Sequence, residues 1–139
     1  MKPFLRPLLL LASLGFALQA QDVKLLNEHV IRLTLTEPLR ALAAKHGLAA
    51  QRIDWFLPHY SSNYFAEPVA AGVVAAGLDI PRERWFTNLT EKGNTGSASP
   101  YIMLDELFRS GRIKKGHKLL MFIPESGRFS SGFIFMEAV

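Results

Sequence analysis

A layered α/β fold, a mixed sheet with helices packed on its faces, is predicted by three observations. Apolar runs of strand length alternate with segments of helical periodicity, the punctuation between them is Gly and Pro at element ends, and the last two strand-like runs follow each other directly. Alternation of the first kind implies parallel pairs joined by crossover helices, and the final adjacency implies an antiparallel hairpin. The 139 residues allow one domain, which at this size buries roughly two thirds of its unfolded surface. An apolar content of 49% supplies the core, and no repeat of solenoid or propeller period is present.

Residues 1–21 stand apart from residues 22–139. Lys2 and Arg6 precede an apolar run from Pro7 to Leu18 that is too short to span a membrane, and Ala17-Leu18-Gln19-Ala20 follows. That layout fits a secretory signal, which would place the remainder outside the cytoplasm as a small binding domain. It equally fits an internal segment of a longer cytosolic protein.

From Asp22 the pattern turns helical, with Leu26, Val30 and Leu33 on one face and Leu35, Leu39 and Leu42 on a face slightly rotated from it. Pro38 removes a donor and predicts a kink or restart with Thr36 as cap, and Gly47 predicts the end. His29 and His46 read as surface or helix-end residues. Ile53 to Leu57 reads as a buried strand closed by Pro58, with His59 to Tyr64 as the loop at its end. A helix then begins near Phe65, burying Phe65, Val69 and Val73, and ends at Gly77. Trp85 to Leu89 reads as a second strand and Glu91 to Gly96 as its loop. Ser97 or Ser99 caps a third helix, with Pro100 in its first turn and Met103, Leu104, Leu107 and Phe108 facing inward. Gly111 closes it. Lys118 to Ile123 and Gly132 to Ala138 form the closing pair of strands.

The charge and cysteine content exclude several chemistries. There is no cysteine, so this chain has no disulfide, no thiolate metal ligand and no cysteine nucleophile. The formal charge of +4 is spread over scattered residues, Arg82, Arg84, Arg109, Arg112, Lys114, Lys115 and Lys118 among them. That lacks the dense basic stripe with interleaved aromatics expected of a nucleic-acid binder.

In a sheet of this kind the carboxyl edge of the strands binds ligands. His59 and Asn94 each fall just beyond a predicted strand end, so the topology brings one imidazole and one carboxamide to the same edge.

Four motifs in this order carry a resemblance: Asp54-Trp55-Phe56-Leu57-Pro58-His59; Gly93-Asn94-Thr95-Gly96-Ser97-Ala98-Ser99; Leu104-Asp105-Glu106 with Ser110-Gly111-Arg112-Ile113-Lys114; and the loop from Gly127 to Gly132. Over about residues 22 to 139 the chain resembles the C-terminal half of β-ketoacyl-acyl-carrier-protein synthase III, a member of the thiolase-like condensing enzymes. The resemblance implies a thiolase-like half-fold and a decarboxylative Claisen condensation of an acyl thioester with a malonyl thioester, in fatty-acid or specialised-metabolite synthesis. It implies a Cys-His-Asn triad, to which His59 and Asn94 correspond; the cysteine belongs to the family's other half.

By the same resemblance Ser126, Gly127 and Arg128 form the substrate and oxyanion loop. Asn63 corresponds to a family asparagine after a one-residue slip, and Tyr64 stands where a basic residue docks the carrier protein, which makes both carrier-binding candidates. Substrates travel on coenzyme A or on acyl-carrier-protein phosphopantetheine, with no further cofactor and no metal, nucleic acid or membrane partner. The partners implied are acyl-CoA or acyl carrier protein, together with the missing N-terminal half or a homologous subunit, in a dimer. The location implied is cytoplasmic. The alternative role is a non-catalytic partner half.

Overall fold

Strands β1 (Trp55–Pro58) and β2 (Lys118–Glu125) run parallel, and β2 pairs antiparallel with β3 (Ser130–Glu137), giving the order β1-β2-β3. The structure, a computed structural model, describes residues 29–125 and 130–139.

Side chains alternate across the sheet, and both faces are covered. On one face Phe56, Leu120 and Phe122 pack with Leu35, Leu39, Val69 and Val73 of two helices. On the other, Leu57, Leu119 and Met121 pack with Met103 and Leu107 of a third. Two-sided burial is why both β1 and β2 read as unbroken apolar runs. Phe56 is fully buried and stands edge-on to Trp85 at 4.9 Å between ring centroids.

The first helix is continuous from residue 29 and does not restart at Thr36. It passes through a π turn, Arg32–Thr36, into α1 (Glu37–His46). The Glu37 N–H donates to the Arg32 carbonyl, five residues back. A proline ring clashes with the carbonyl four residues before it, and the wider π turn makes room for Pro38 in the first turn of α1. Thr36 is buried and its side chain caps nothing, which corrects the expected cap. The helix ends at Gly47 as expected, with His46 exposed in its last turn.

A short 3-10 turn, Asn63–Phe65, leads into α2 (Ala66–Ala75), which carries Pro68 near its start. Val69 and Val73 are buried as the pattern predicts.

The expected strand at Trp85 to Leu89 is reduced to one parallel bridge, Phe56 to Trp85, with the Phe86 N–H donating to the Phe56 carbonyl at 2.9 Å. Leu89–Lys92 is a short helix, α3. Asn88 explains the change: it is buried, its carbonyl accepts from the N–H groups of Glu91 and Lys92, and its Nδ2 donates to Glu106 Oε2 at 2.7 Å. A polar residue satisfied in this way starts a turn in place of a strand.

Helix α4 (Ser99–Arg109) buries Met103 and Leu107, half-buries Leu104 and carries Pro100 in its first turn. Phe108 is 69% exposed and does not face inward. Its neighbour Leu107 occupies the inward direction, and Phe108 is displaced by one residue's rotation around the helix. Neither serine caps α4: Ser97 lies in the preceding 3-10 turn, and Ser99 Oγ accepts from the Thr95 N–H at 3.0 Å.

Candidate active site

Because β1 and β2 are parallel, their carboxyl ends share one edge of the sheet. His59 follows β1 directly, and its backbone N–H donates to the Phe122 carbonyl at 2.9 Å, extending the ladder one residue past Pro58. Ile123 and Pro124 stand at the corresponding end of β2. Above this edge opens a cleft of about 390 Å³, lined by His59, Asn94, Ser97 and Tyr60 on its polar side. Two walls of it are apolar: Val30 and Ile31, with Thr34, from the π-turn helix, and Phe65 with Val69 from the start of α2.

His59 is 8% exposed, and burial pushes its imidazole pKa below the ordinary 6.5, because desolvation disfavours the charged form. At neutral pH the ring is therefore uncharged, with one N–H to donate and one bare nitrogen.

Asn94 comes to the same cleft from a different kind of element than expected. It follows α3, not a strand, and is placed there by the Gly93–Gly96 loop. Gly93 has φ 73° and ψ −178°, a conformation that only glycine adopts readily. The Asn94 Oδ1 accepts the Gly96 N–H at 2.9 Å, and Thr95 bonds Ser99 through both its N–H and its hydroxyl. With its oxygen engaged, the carboxamide offers Nδ2 as a donor.

Asn63 and Tyr64 are exposed on the 3-10 turn and do not line the cleft; Tyr64 packs edge-on against Phe65, which does. Ser126, Gly127 and Arg128 lie outside the described residues, as does the boundary expected near residue 21. The wall residues Val30, Ile31 and Thr34 escaped the reading of the sequence as site residues, since helical apolar spacing identifies a core stripe without saying that its end borders a cleft. Asn88 and Glu106 also escaped it; the pairing joins residues 18 apart through a turn that the pattern reads as strand.

Among the described residues no cluster of His, Cys, Asp and Glu could hold a metal ion, and no helix is long and apolar enough to cross a membrane.

A mixed sheet covered by helices on both faces is the architecture of a thiolase-like half-fold. The chain superposes on 3-oxoacyl-(acyl carrier protein) synthase III of Pseudomonas aeruginosa PAO1 with a TM-score of 0.68 at 22% identity, over 84% of this chain and 35% of that one. With a point variant of OleA from Xanthomonas campestris the TM-score is 0.67 at 29% identity, over 84% of this chain and 32% of that one. Residues 43–127, more than half of the chain and a span holding both His59 and Asn94, match the family described as 3-Oxoacyl-[acyl-carrier-protein (ACP)] synthase III C terminal, and the chain belongs to that family.

Among sequence relatives, the β-ketoacyl-[acyl-carrier-protein] synthase III of Coxiella burnetii is 34% identical over 98 residues, 68% of this chain and 29% of the relative. The chloroplastic synthase III of Arabidopsis thaliana is 37% identical over 83 residues, 60% of this chain and 19% of the relative. The chain thus spans between about a fifth and a third of the length of these relatives.

Proposed function

We propose that the chain supplies the decarboxylation half of a ketoacyl-synthase-III-like acyltransferase. The observation that carries this reading is the convergence of a buried, neutral His59 and an Asn94 with its oxygen already bonded on one cleft. Loss of carbon dioxide from a malonyl thioester breaks the bond between C2 and the carboxylate and leaves the electron pair as an enolate, with its charge on the thioester oxygen. Two preorganised N–H donors stabilise that oxygen, and removing one such donor costs roughly 3–4 kcal/mol of barrier. The enolate carbon then attacks an acyl thioester carbonyl, forming the carbon–carbon bond as the thiolate leaves. His59 acts here as a hydrogen-bond donor and not as a base.

The thiolate comes from outside these 139 residues, which contain no cysteine. Substrates are carried on coenzyme A or acyl-carrier-protein phosphopantetheine, with Asn63 and Tyr64 at the carrier side, and Ser126, Gly127 and Arg128 in the acyl oxyanion loop. An arginine in that loop departs from the family's glycine-rich pattern, which favours a specialised acyl starter. The setting is cytoplasmic.

The test is reconstitution. The chain alone should release no carbon dioxide-coupled condensation product from acyl-CoA and malonyl-CoA, whereas the chain combined with a cysteine-bearing synthase III half should, and His59→Ala or Asn94→Ala should abolish it. Condensation by the chain alone would overturn the division of labour.

A second reading, that of a non-catalytic partner half, is favoured by the outward side of α4, where Tyr101 is 58% and Phe108 69% exposed. Two aromatic side chains exposed seven residues apart, on one side of the helix, fit a surface that pairs with another protein. Under it the reconstituted assembly forms but is indifferent to the His59 and Asn94 variants.

A further inference from the structure

Gly72 lies in the interior of α2, where glycine is less favourable than alanine. A Cβ at this position would lie 2.7 Å from Ile31 Cγ2, 3.0 Å from Leu35 Cδ2 and 3.0 Å from Thr36 Oγ1. All three contacts belong to the π turn or to the residue just before it, so Gly72 is a point of close approach between α2 and the π-turn helix.

That contact cannot relax cheaply. Ile31 is β-branched and has one strongly preferred χ1 in a helix, and Leu35 and Thr36 are both buried. The same two helices form the apolar walls of the cleft, Val30, Ile31 and Thr34 on one and Phe65 and Val69 on the other. A side chain at position 72 therefore acts as a wedge beside the cleft and moves its walls apart.

We infer that Gly72 is a positioning residue that sets the separation of these walls, and with it the bulk of acyl group the cleft admits. The inference rests on the reading that an acyl thioester enters this cleft. With glycine the walls stand close, and slim linear acyl chains are preferred to branched or aromatic ones. The π turn contributes by carrying Leu35 and Thr36 on the side that meets Gly72.

The experiment uses the full 139-residue chain and its Gly72→Ala variant, with two readouts. The first is the affinity for butyryl-CoA against benzoyl-CoA. The wild type should favour butyryl-CoA, and Gly72→Ala should shift the ratio towards benzoyl-CoA by about tenfold, the discrimination that one methylene of space gives in an apolar pocket. Adding Ile31→Leu, which removes the branch methyl while conserving volume, should return the ratio, whereas adding Ile31→Val, which keeps the branch, should not. The second readout is the Ile31 to Val69 separation across the cleft in crystal structures of the wild type and Gly72→Ala, which needs no ligand.

An unchanged separation, or equal losses for both thioesters, would overturn the inference. If the wild type binds neither thioester, the reading that an acyl thioester enters this cleft fails, and the separation still decides the role of Gly72. Should Gly72→Ala not fold, Ile31→Leu alone is expected to bring the walls together and raise the preference for butyryl-CoA, and no shift there would overturn the inference.

Discussion

The Gly96 backbone N–H donates to Asn94 Oδ1 at 2.9 Å, so the loop that positions the carboxamide also decides which end of it is free to act. An acceptor is all the loop requires of this side chain, and a donor is all the proposed chemistry requires.

Asn94→Asp separates the two requirements. The carboxylate still accepts from Gly96, so thermal stability should change by no more than about 0.5 kcal/mol, the usual range for exposed substitutions. The donor is lost, and a negative charge stands where enolate charge would develop. Malonyl decarboxylation by the reconstituted assembly should fall by roughly 10²–10³-fold or more. An Asn94→Asp assembly of undiminished rate would remove Asn94 from the donor pair.

His59 gives a pH prediction. Burial holds its pKa below 6.5, while in the unfolded chain it titrates near the ordinary value. Between those two values the unfolded state binds more protons, so the contribution of His59 to stability rises with pH and is lost as pH falls through 6.5 towards the folded value. Urea denaturation at about pH 7.5 and about pH 5.0 is expected to show a larger loss for the wild type than for His59→Gln, which cannot titrate. Equal losses would show that His59 is not desolvated in the folded protein.

Gly93 holds the loop by its backbone. At φ 73° and ψ −178° an L side chain is strained, and residues forced into such regions cost of order 1–3 kcal/mol. No atom lies within 4 Å of a Cβ at this position, so the cost of Gly93→Ala is conformational alone. A drop in melting temperature of several degrees is expected, together with loss of the Asn94 to Gly96 bond, visible as faster amide exchange at Gly96. Gly93→Asn should lose about as much, because asparagine tolerates positive φ only in the left-handed helical region, far from ψ −178°.

The fold was legible in the sequence where one physical signal dominated. The apolar runs of β1 and β2, Gly47 and Pro100 each have a single local reading, and the parallel pairing that joins β1 to β2 follows from the helices between them. His59 and Asn94 line one cleft at the carboxyl edge of the strands, although Asn94 follows a helix where the pattern predicts a strand. Trp85 to Leu89 misled because Trp85, Phe86 and Leu89 are apolar while the deciding interaction, Asn88 with Glu106, is nonlocal. Phe108 misled because hydrophobicity says that a residue is worth burying, and only the packing of Leu107 settles which of two adjacent residues is buried. The cleft walls were hidden for a related reason: a helix stripe that begins at Val30 and continues to Leu39 is half site and half core, and spacing is the same in both halves.

The Asn88 to Glu106 bond at 2.7 Å is the tie between α3, which leads into the Asn94 loop, and α4. Asn88→Asp converts it into two carboxylates at hydrogen-bond distance, one of them on a buried residue. Like charges so close cannot both ionise without cost, and one carboxyl must have its pKa raised above the unfolded value. The sign follows: a raised folded pKa makes the variant closest to wild-type stability at low pH, where a proton bridges the pair, and progressively weaker as pH rises through that pKa. At about pH 7.5 breaking a buried hydrogen bond to a charged partner should cost about 1.5–3 kcal/mol, and at about pH 4.5 much of that should return. Asn88→Ala provides the contrast, since it removes the donor without adding a charge and its deficit should not recover on acidification. Denaturation of both variants at the two pH values decides the matter, and a pH-independent deficit in Asn88→Asp would show that Glu106 is turned away from residue 88.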